Sequence, residues 1–455
     1  MENLKLKDNY IKFIAYKNLN LWDVKRYFAN KVESNFDIKK LGLYITEESH
    51  RTKLNSFPET EFGILGISNK IGVFDAYTTL GKDINQSYKK MNLNWIAYNP
   101  YRINVGSIGI KRVNNKYDYI SPAYVVFSCN DELMPEYLFQ LFKTNKFSEI
   151  INNNTTGSVR QNLTFEILKT LEIPLPDIKT QAELIENLNK KISSANRLEI
   201  KANNTEKEIE DYLFDELSIS VQENNNKSKG LKFVKYSSIN EWGLNKIVNI
   251  NNSKSKKYQT ISLQNRNDLL IDCFRGKSPI YEEDSNFKVL NQKCIKWNEI
   301  ETEYSKGVND EWFKKIEDKY LTKVGDILIN STGEGTIGRS SIVTSKTKGL
   351  IFDSHIICLR VNNNLINPLF LTFLINSRYG QLQIENLKSA QSTNQTELGV
   401  LNILKIQIPF PDLTVQETII DKISNYKKVI DKLNNKKELD VKKALEEFEN
   451  SIFKK

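Results

Sequence analysis

The stretch LEIPLPDIKTQAELIENL (residues 171–188) returns near the far end of the chain as IQIPFPDLTVQETIIDKI (406–423). Both read apolar–x–Ile–Pro–x–Pro–Asp, then a glutamine, then apolar residues at helical spacing. The two glutamines, Gln181 and Gln416, stand 235 positions apart. Proline cannot donate to a β-ladder, so Ile173-Pro174 and Ile408-Pro409 each predict the end of a strand. Thr180 with Glu183, and Thr414 with Glu417, have capping-box spacing and predict a helix start just beyond.

Four further pairs stand in the same order in the two copies. NLNLWDVKR (18–26) is matched by SINEWGLNK (238–246), with Trp22 opposite Trp242. INVGSIGIKRV (103–113) and MPEYLFQLF (134–142) correspond to GEGTIGRSSIV (333–343) and INPLFLTFL (366–374). SVRQNLTFEIL (158–168) faces STNQTELGVLNIL (392–404), each running from Ser through Gln to the proline pair. One shared motif can arise by chance; several in one order mark a duplication.

Each copy has two parts. The first is strand-like: YISPAYVVFS, DILINS, SSIVTS and HIICLRV are β-branched or aromatic runs broken by Gly, Asn and Asp. The second is a long helix. Ile423, Tyr426, Ile430 and Leu433 have the 3-4-3 spacing of a coiled-coil seam, extended by Leu445, Phe448 and Ile452. The first copy offers Leu184, Leu188 and Ile192, a polar middle, then Ile209, Leu213 and Leu217. ENNNKSKG (223–230) is a polar linker. The expected fold class is α+β: two β-rich domains in pseudo-twofold arrangement, separated by two long antiparallel helices acting as a coiled-coil spacer. The expected boundaries are 1–177 and 223–412 for the domains, 178–222 for the central helix and 413–455 for the distal one.

Composition narrows the function classes. Lys and Arg outnumber Asp and Glu, 65 to 56, giving a net charge of +9. That balance fits a polyanionic partner, and it also fits a coding bias toward Asn, Lys and Ile. No apolar run is long enough to span a membrane, and the N-terminal MENLKLKDNYIKF lacks a signal layout. Cys129, Cys273, Cys294 and Cys358 show no CxxC pairing, so neither a disulfide framework nor a zinc site is expected, and a cytoplasmic setting fits. His50 and His355 are the only histidines.

Three motifs imitate catalysis. TGEGTIG carries Gly333-x-Gly335-x-x-Gly338, but a dinucleotide site needs a helix directly after the glycines. RSSIVTSKTKGLIFD follows instead and reads as a hairpin turning at Lys348-Gly349. YNPYR (98–102) is one proline short of the Asn-Pro-Pro-Tyr loop of amino-methyltransferases, with no methyl-donor motif before it. DSH (353–355) has no nucleophile elbow. No catalytic residues, resident cofactor or metal are expected.

With these features together, the chain resembles the specificity (S) subunit of type I restriction–modification systems. The two Ile-Pro-x-Pro…Gln segments with their helices carry the likeness, together with the Ser…Gln lead-ins, SIGI, TIGR and the two Trp openings, over nearly the whole length. The resemblance implies a non-catalytic, DNA-binding subunit with two target recognition domains, each reading one half of a bipartite double-stranded site in phage defence. It implies two methyltransferase (M) subunits carrying S-adenosylmethionine, docked on the helices, and restriction (R) subunits working with ATP and Mg. A specificity component of another restriction–modification or phage-defence adenine methyltransferase is the alternative. An enzyme using the Gly333–Gly338 loop, or a scaffold with no DNA role, are the readings from other classes.

Phosphates call for Lys and Arg; base edges call for Arg, Asn, Gln and hydroxyls. The DNA-binding candidates in the first domain are Lys89, Lys90, Tyr101, Arg102, Asn104, Lys111, Arg112, Arg160 and Gln161. In the second they are Lys254, Lys256, Lys257, Arg275, Lys277, Thr332, Arg339, Asn394 and Gln395.

Overall fold

A computed structural model describes residues 32–154, 162–220, 236, 255–390 and 396–454. Both Trp openings of the repeat therefore lie outside the described residues. The chain forms two compact units, residues 1–199 with 435–455, and residues 200–434.

Unit 1 contains strands β1 (Ile38–Lys40), β2 (Ile45–Glu47), β3 (Arg51–Thr52), β4 (Glu61–Ser68), β5 (Gly72–Leu80), β6 (Tyr88–Lys90), β7 (Ile96–Tyr98), β8 (Ile108–Ile110), β9 (Tyr119–Ile120) and β10 (Val125–Cys129). Helices α1 (Pro135–Phe142), α2 (Asn145–Asn154) and α3 (Phe165–Thr170) follow, then β11 (Glu172–Pro174) and the long α4 (Ile178–Glu216). A four-stranded antiparallel sheet, order β2-β10-β7-β8, is the centre. Alternation along its strands serves two cores. Ile96, Tyr98 and Phe127 face a cluster that includes the helices, while Ala97 and Val126 face one under the second sheet, β3-β6-β9-β4-β5. Burial on both faces is why these strands read as unbroken apolar runs.

Unit 2 repeats this plan. Its strands are β12 (Thr260–Ser262), β13 (Leu270–Arg275), β14 (Lys288–Leu290), β15 (Lys306–Gly307), β16 (Ile327–Asn330), β17 (Ser340–Ile342), β18 (Ile351–Phe352) and β19 (Ile356–Val361). The short α5 (Asp310–Lys314) lies between β15 and β16. Then come α6 (Pro368–Asn376), α7 (Arg378–Leu387), β20 (Ser389–Ala390), β21 (Thr396–Glu397), α8 (Val400–Leu404), β22 (Gln407–Pro409) and α9 (Leu413–Ile452). The central sheet, β13-β19-β16-β17, is antiparallel and has the strand order of its unit 1 counterpart. Ile357 and Leu359 face one core and Ile356 and Cys358 the other. The second sheet is smaller, β15-β14-β18.

The repeated sequence forms the same junction twice. Ile173 pairs with Lys39 and Pro174 with Ile38, as Ile408 pairs with Ile261 and Pro409 with Thr260. Each strand ends at its proline. Gln181 is completely buried, accepting the Met134 N–H at 2.8 Å and donating to Glu132 O at 2.9 Å and Pro176 O at 2.8 Å. Gln416 is equally buried, accepting the Asn367 N–H at 2.8 Å and donating to Pro411 O at 2.9 Å and Leu365 O at 3.4 Å. Met134 and Asn367 are the N-caps of α1 and α6. In each unit one amide ties a long helix to the N-cap residue of a short helix, α1 in unit 1 and α6 in unit 2.

Three expectations change. Thr180 and Thr414 lie inside the long helices Ile178–Glu216 and Leu413–Ile452 and do not cap them. Asp177 caps α4, its side chain accepting the Thr180 N–H at 2.8 Å, and at α9 the Asp412 carbonyl accepts from Val415 and Gln416. The carboxylate at a helix start is favoured by the exposed N–H groups, and that hydrogen bond lowers the Asp177 pKa. Second, among the described residues α1–α3 in unit 1 and α5–α8 in unit 2 precede the proline segment, within the part that read as strand-rich. Third, β17 does not form a hairpin with β18; it pairs with β16 across the glycine loop, and β18 joins β14 in the other sheet.

Each unit's core takes in both long helices. In unit 1, Ile185 and Leu188 from α4 are buried with Ala444, Phe448 and Ile452 from α9. There Lys191 pairs with Glu447, and Glu199 with Lys437 at 2.9 Å, so the two segments run antiparallel. In unit 2, Ile419, Ile420 and Ile423 of α9 are buried with Leu213, Phe214 and Leu217 of α4. Tyr212 and Tyr426 meet there at 6.2 Å between ring centroids. Among the described residues no helix is long and apolar enough to cross a membrane.

Candidate nucleic-acid interface

In each unit the turn after the central sheet strand β7 or β16 meets the segment just past the Ser…Gln lead-in. The Leu163 N–H donates to Pro100 O at 3.0 Å in unit 1, and the Leu398 N–H to Ser331 O at 2.8 Å in unit 2. The sequences YNPYR and STGEGTIG thus hold equivalent places, and both carry candidate residues.

In unit 1 this turn is built by Asn99. Its side chain accepts the Tyr101 N–H at 3.0 Å and its carbonyl accepts the Arg102 N–H at 3.0 Å. Tyr101 and Arg102 are exposed, and Asn104 is half-buried in the short 3₁₀ turn that follows. Gly106, at φ +84°, closes it in the left-handed region. Lys90 is exposed on the second sheet. Arg112 is exposed and paired with Glu136 at 2.7 Å.

Two candidates are corrected. Lys89 is 4% exposed, its ammonium donating to Tyr124 O at 2.9 Å with Glu47 at 3.9 Å. Burial pulls its pKa down, against the attraction of Glu47. Lys111 is 6% exposed, donating to Met91 O at 2.8 Å and to the Asp118 carboxylate. Both ammonium groups are consumed inside the fold and do not face a phosphate. Arg160, Gln161, Lys254, Asn394 and Gln395 lie outside the described residues.

In unit 2 several candidates converge. Arg275 pairs with Glu397 and donates to Leu398 O at 3.3 Å. Thr332 bridges Glu397 through the backbone, and its hydroxyl lies 2.8 Å from His355 Nδ1. The His355 N–H donates to the buried Asp353 carboxylate at 2.9 Å. Burial raises the Asp353 pKa, against that hydrogen bond. Lys277 bridges Asp353 through the backbone, its ammonium 4.7 Å from the Tyr320 ring centroid. The strand β21 pairs with β20, and its Glu397 is the residue that meets Arg275 and Thr332. Lys256 and Lys257 lie elsewhere, at the end of α4, bonded to Ser218 and Glu216.

The glycine loop is followed by β17, a strand, and not by the helix that a dinucleotide site needs directly after its glycines. Gly333, Gly335 and Gly338 all have positive φ. Arg339 reaches back to donate to Gly335 O at 2.9 Å, and its guanidinium lies 5.6 Å from the Trp297 ring centroid. Its buried Nε has no hydrogen-bond partner. Trp297 is 46% exposed and was missed in the sequence. It sits on a turn whose neighbour Asn298 has φ +64°, held by Asn376 of α6 at 2.8 Å, and nothing local in KWNE signals that tether. Arg with an aromatic face is a surface that stacks bases and pairs phosphates.

The architecture is thus a duplicated α+β fold with an arginine-bearing turn at equivalent sheet ends. The family model described as the type I restriction modification DNA specificity domain matches residues 69–211 and again residues 192–443. The chain belongs to that family, as the two Ile-Pro-x-Pro segments implied, and it is of the type I specificity-subunit class. The specificity subunit assigned to the MjaX type I restriction enzyme of Methanocaldococcus jannaschii is 29% identical over 127 residues, spanning 28% of this chain and 29% of that protein. The HsdS subunit from Thermoanaerobacter tengcongensis is 13% identical, covering 91% of this chain and 96% of that one, with a TM-score of 0.36. The S subunit from M. genitalium is 15% identical with the same coverage and a TM-score of 0.36. A chain from a structural study of complex assembly and conformational transition in the type I R-M system covers 92% of this chain and 98% of that one, at 13% identity and a TM-score of 0.48.

Proposed function

We propose that this chain reads a bipartite double-stranded DNA site, one half-site per unit, and directs a type I methyltransferase and restriction complex to it without catalysing a step itself. The observation that carries the reading is the duplication in three dimensions. Each unit repeats the sheet order, the buried glutamine junction and a turn anchored to the segment before the proline pair. Two equivalent reading ends on one chain are what a two-part site requires. Their side chains differ, Tyr101 and Arg102 on one and Thr332, Arg339 and Trp297 on the other, which fits two different half-sequences. In this reading residues 1–177 and 223–412 are the recognition domains, and 178–222 and 413–455 the spacers. M subunits, two per chain, supply S-adenosylmethionine and methylate adenine; R subunits use ATP and Mg.

The test is to express the chain with its methyltransferase and sequence the methylome. An adenine-methylated motif in two parts, separated by unspecified bases, is expected. Exchanging residues 1–177 for those of a homologue should change one part only. A continuous motif, or none, counts against the proposal.

A further inference from the structure

The second sheet of unit 1 ends in a hairpin that the sequence reading left aside. β4 and β5 turn through Asn69, Lys70 and Ile71, with Ser68 pairing Gly72. The Ser68 hydroxyl accepts the Ile71 N–H at 3.0 Å, and Gly72 at φ +78° supplies the left-handed position that a three-residue hairpin requires. Ile71 is consequently held out into solvent, 71% exposed.

This tip lies against the turn already described. A Cβ built on Gly106 would stand 3.7 Å from the Asn69 Cβ, and one on Gly72 would stand 3.5 Å from the Gly109 Cα. Val105, next to Gly106, is 58% exposed. Two adjoining loops therefore each present a β-branched apolar side chain to water. Lys70 and Arg102 flank them, both exposed. Residues 66–74 and 98–112 contain no Asp or Glu.

Two exposed aliphatic groups, on adjoining turns that carry Lys70 and Arg102 and no carboxylate of their own, suit a surface that is polyanionic at its rim and apolar at its floor. In a DNA groove the apolar feature at the base edge is the thymine 5-methyl group of the major groove. We infer that Ile71 and Val105 read a thymine methyl in the half-site of unit 1, with Lys70 and Arg102 pairing the adjacent phosphates. The inference rests on the DNA-reading proposal. It adds residues and a base to it, since neither Ile71 nor Val105 has polar chemistry that a search for phosphate or base-edge donors would find.

The experiment uses the full chain with its methyltransferase subunits and a duplex carrying the methylated motif. Each thymine is replaced singly by 2′-deoxyuridine, which removes only the methyl group. A half-site methylated on adenine contains at least one A·T pair, so a thymine is present to test. One replacement in one half-site should weaken binding about three- to fivefold, the worth of one buried methyl. Ile71→Ala and Val105→Ala, both at exposed positions, should weaken binding to the thymine duplex and erase the difference between thymine and uracil there. Discrimination elsewhere in the site should stay intact. If the wild-type complex methylates a two-part motif but no replacement matters, the methyl contact is overturned while the DNA-reading proposal stands. Weaker binding by both variants with unchanged discrimination also overturns it. Absence of any two-part motif sinks the proposal on which it rests.

Discussion

Replacing Gln181 by methionine keeps the length of the side chain and removes its amide. Three hydrogen bonds vanish: the Met134 N–H loses its acceptor, and Glu132 O and Pro176 O lose their donor. An N–H stranded at a buried position costs about 1–3 kcal/mol, and each carbonyl bond contributes about 1 kcal/mol net. Burying a thioether in place of an amide returns about 1 kcal/mol. The expected loss is about 2–4 kcal/mol in unit 1, or roughly 5–12 °C in the transition of a unit this size. Calorimetry of the full chain measures it. Gln416→Met should lower the transition of unit 2 by a similar amount, and the double variant should show both losses, because the two amides share no partner. Gln181→Glu sets a carboxylate oxygen against two carbonyls and should cost at least as much at neutral pH. A change below about 1 kcal/mol for Gln181→Met would refute the claim that the amide holds the junction.

Four other outcomes are expected. Arg360 holds Asp326 through Nε at 2.8 Å and Nη2 at 2.9 Å, both side chains buried. Arg360→Met should destabilise unit 2 by about 3–5 kcal/mol, and adding Asp326→Leu should recover much of that, read from urea unfolding. On the DNA-reading proposal, Arg339→Ala should lower the slope of log affinity against log salt by about 1. Trp297→Ala should weaken binding without changing that slope, both read by fluorescence anisotropy across a salt series. Asp353 is held above its ordinary 3.8 by burial, so the folded state keeps its proton more tightly than the unfolded state. Stability should therefore fall as pH rises from near 3.8 through the folded value, and Asp353→Asn should flatten that part of the curve.

The duplication was legible because it is written in residues with narrow backbone or hydrogen-bonding roles. Pro174 and Pro409 end strands, and Gln181 and Gln416 satisfy buried backbone groups. The antiparallel long helices were legible from the spacing of Leu188, Leu213, Ile423 and Phe448. The short helices α1 and α6 were not, since YLFQLF and LFLTFLIN are buried almost all round and show no periodic face. Site residues were harder. Residue type marks Lys89 and Lys111 as cations but says nothing of burial, which depends on carbonyls contributed by Tyr124 and Met91. Trp297 and Ile71 were invisible for the opposite reason: apolar residues read as core, and only their turns hold them outside.

Unit 1 is assembled from chain made at different times. Its core needs Phe448 and Ile452, and the backbone of Ser34 bridges Phe453 while the Asn35 N–H donates to Ile452 O. A ribosome adding about 5–20 residues per second reaches those positions well over ten seconds after finishing Glu199. For that interval the faces of Ile185, Leu188 and Tyr137 are open to water. Unit 2 waits much less, because the α9 residues in its core, Ile419, Ile420 and Ile423, follow its last short strand almost at once. The half made first is thus the half completed last. A released chain that ends at residue 434 should protect residues 260–420 from protease and leave 32–199 open to it.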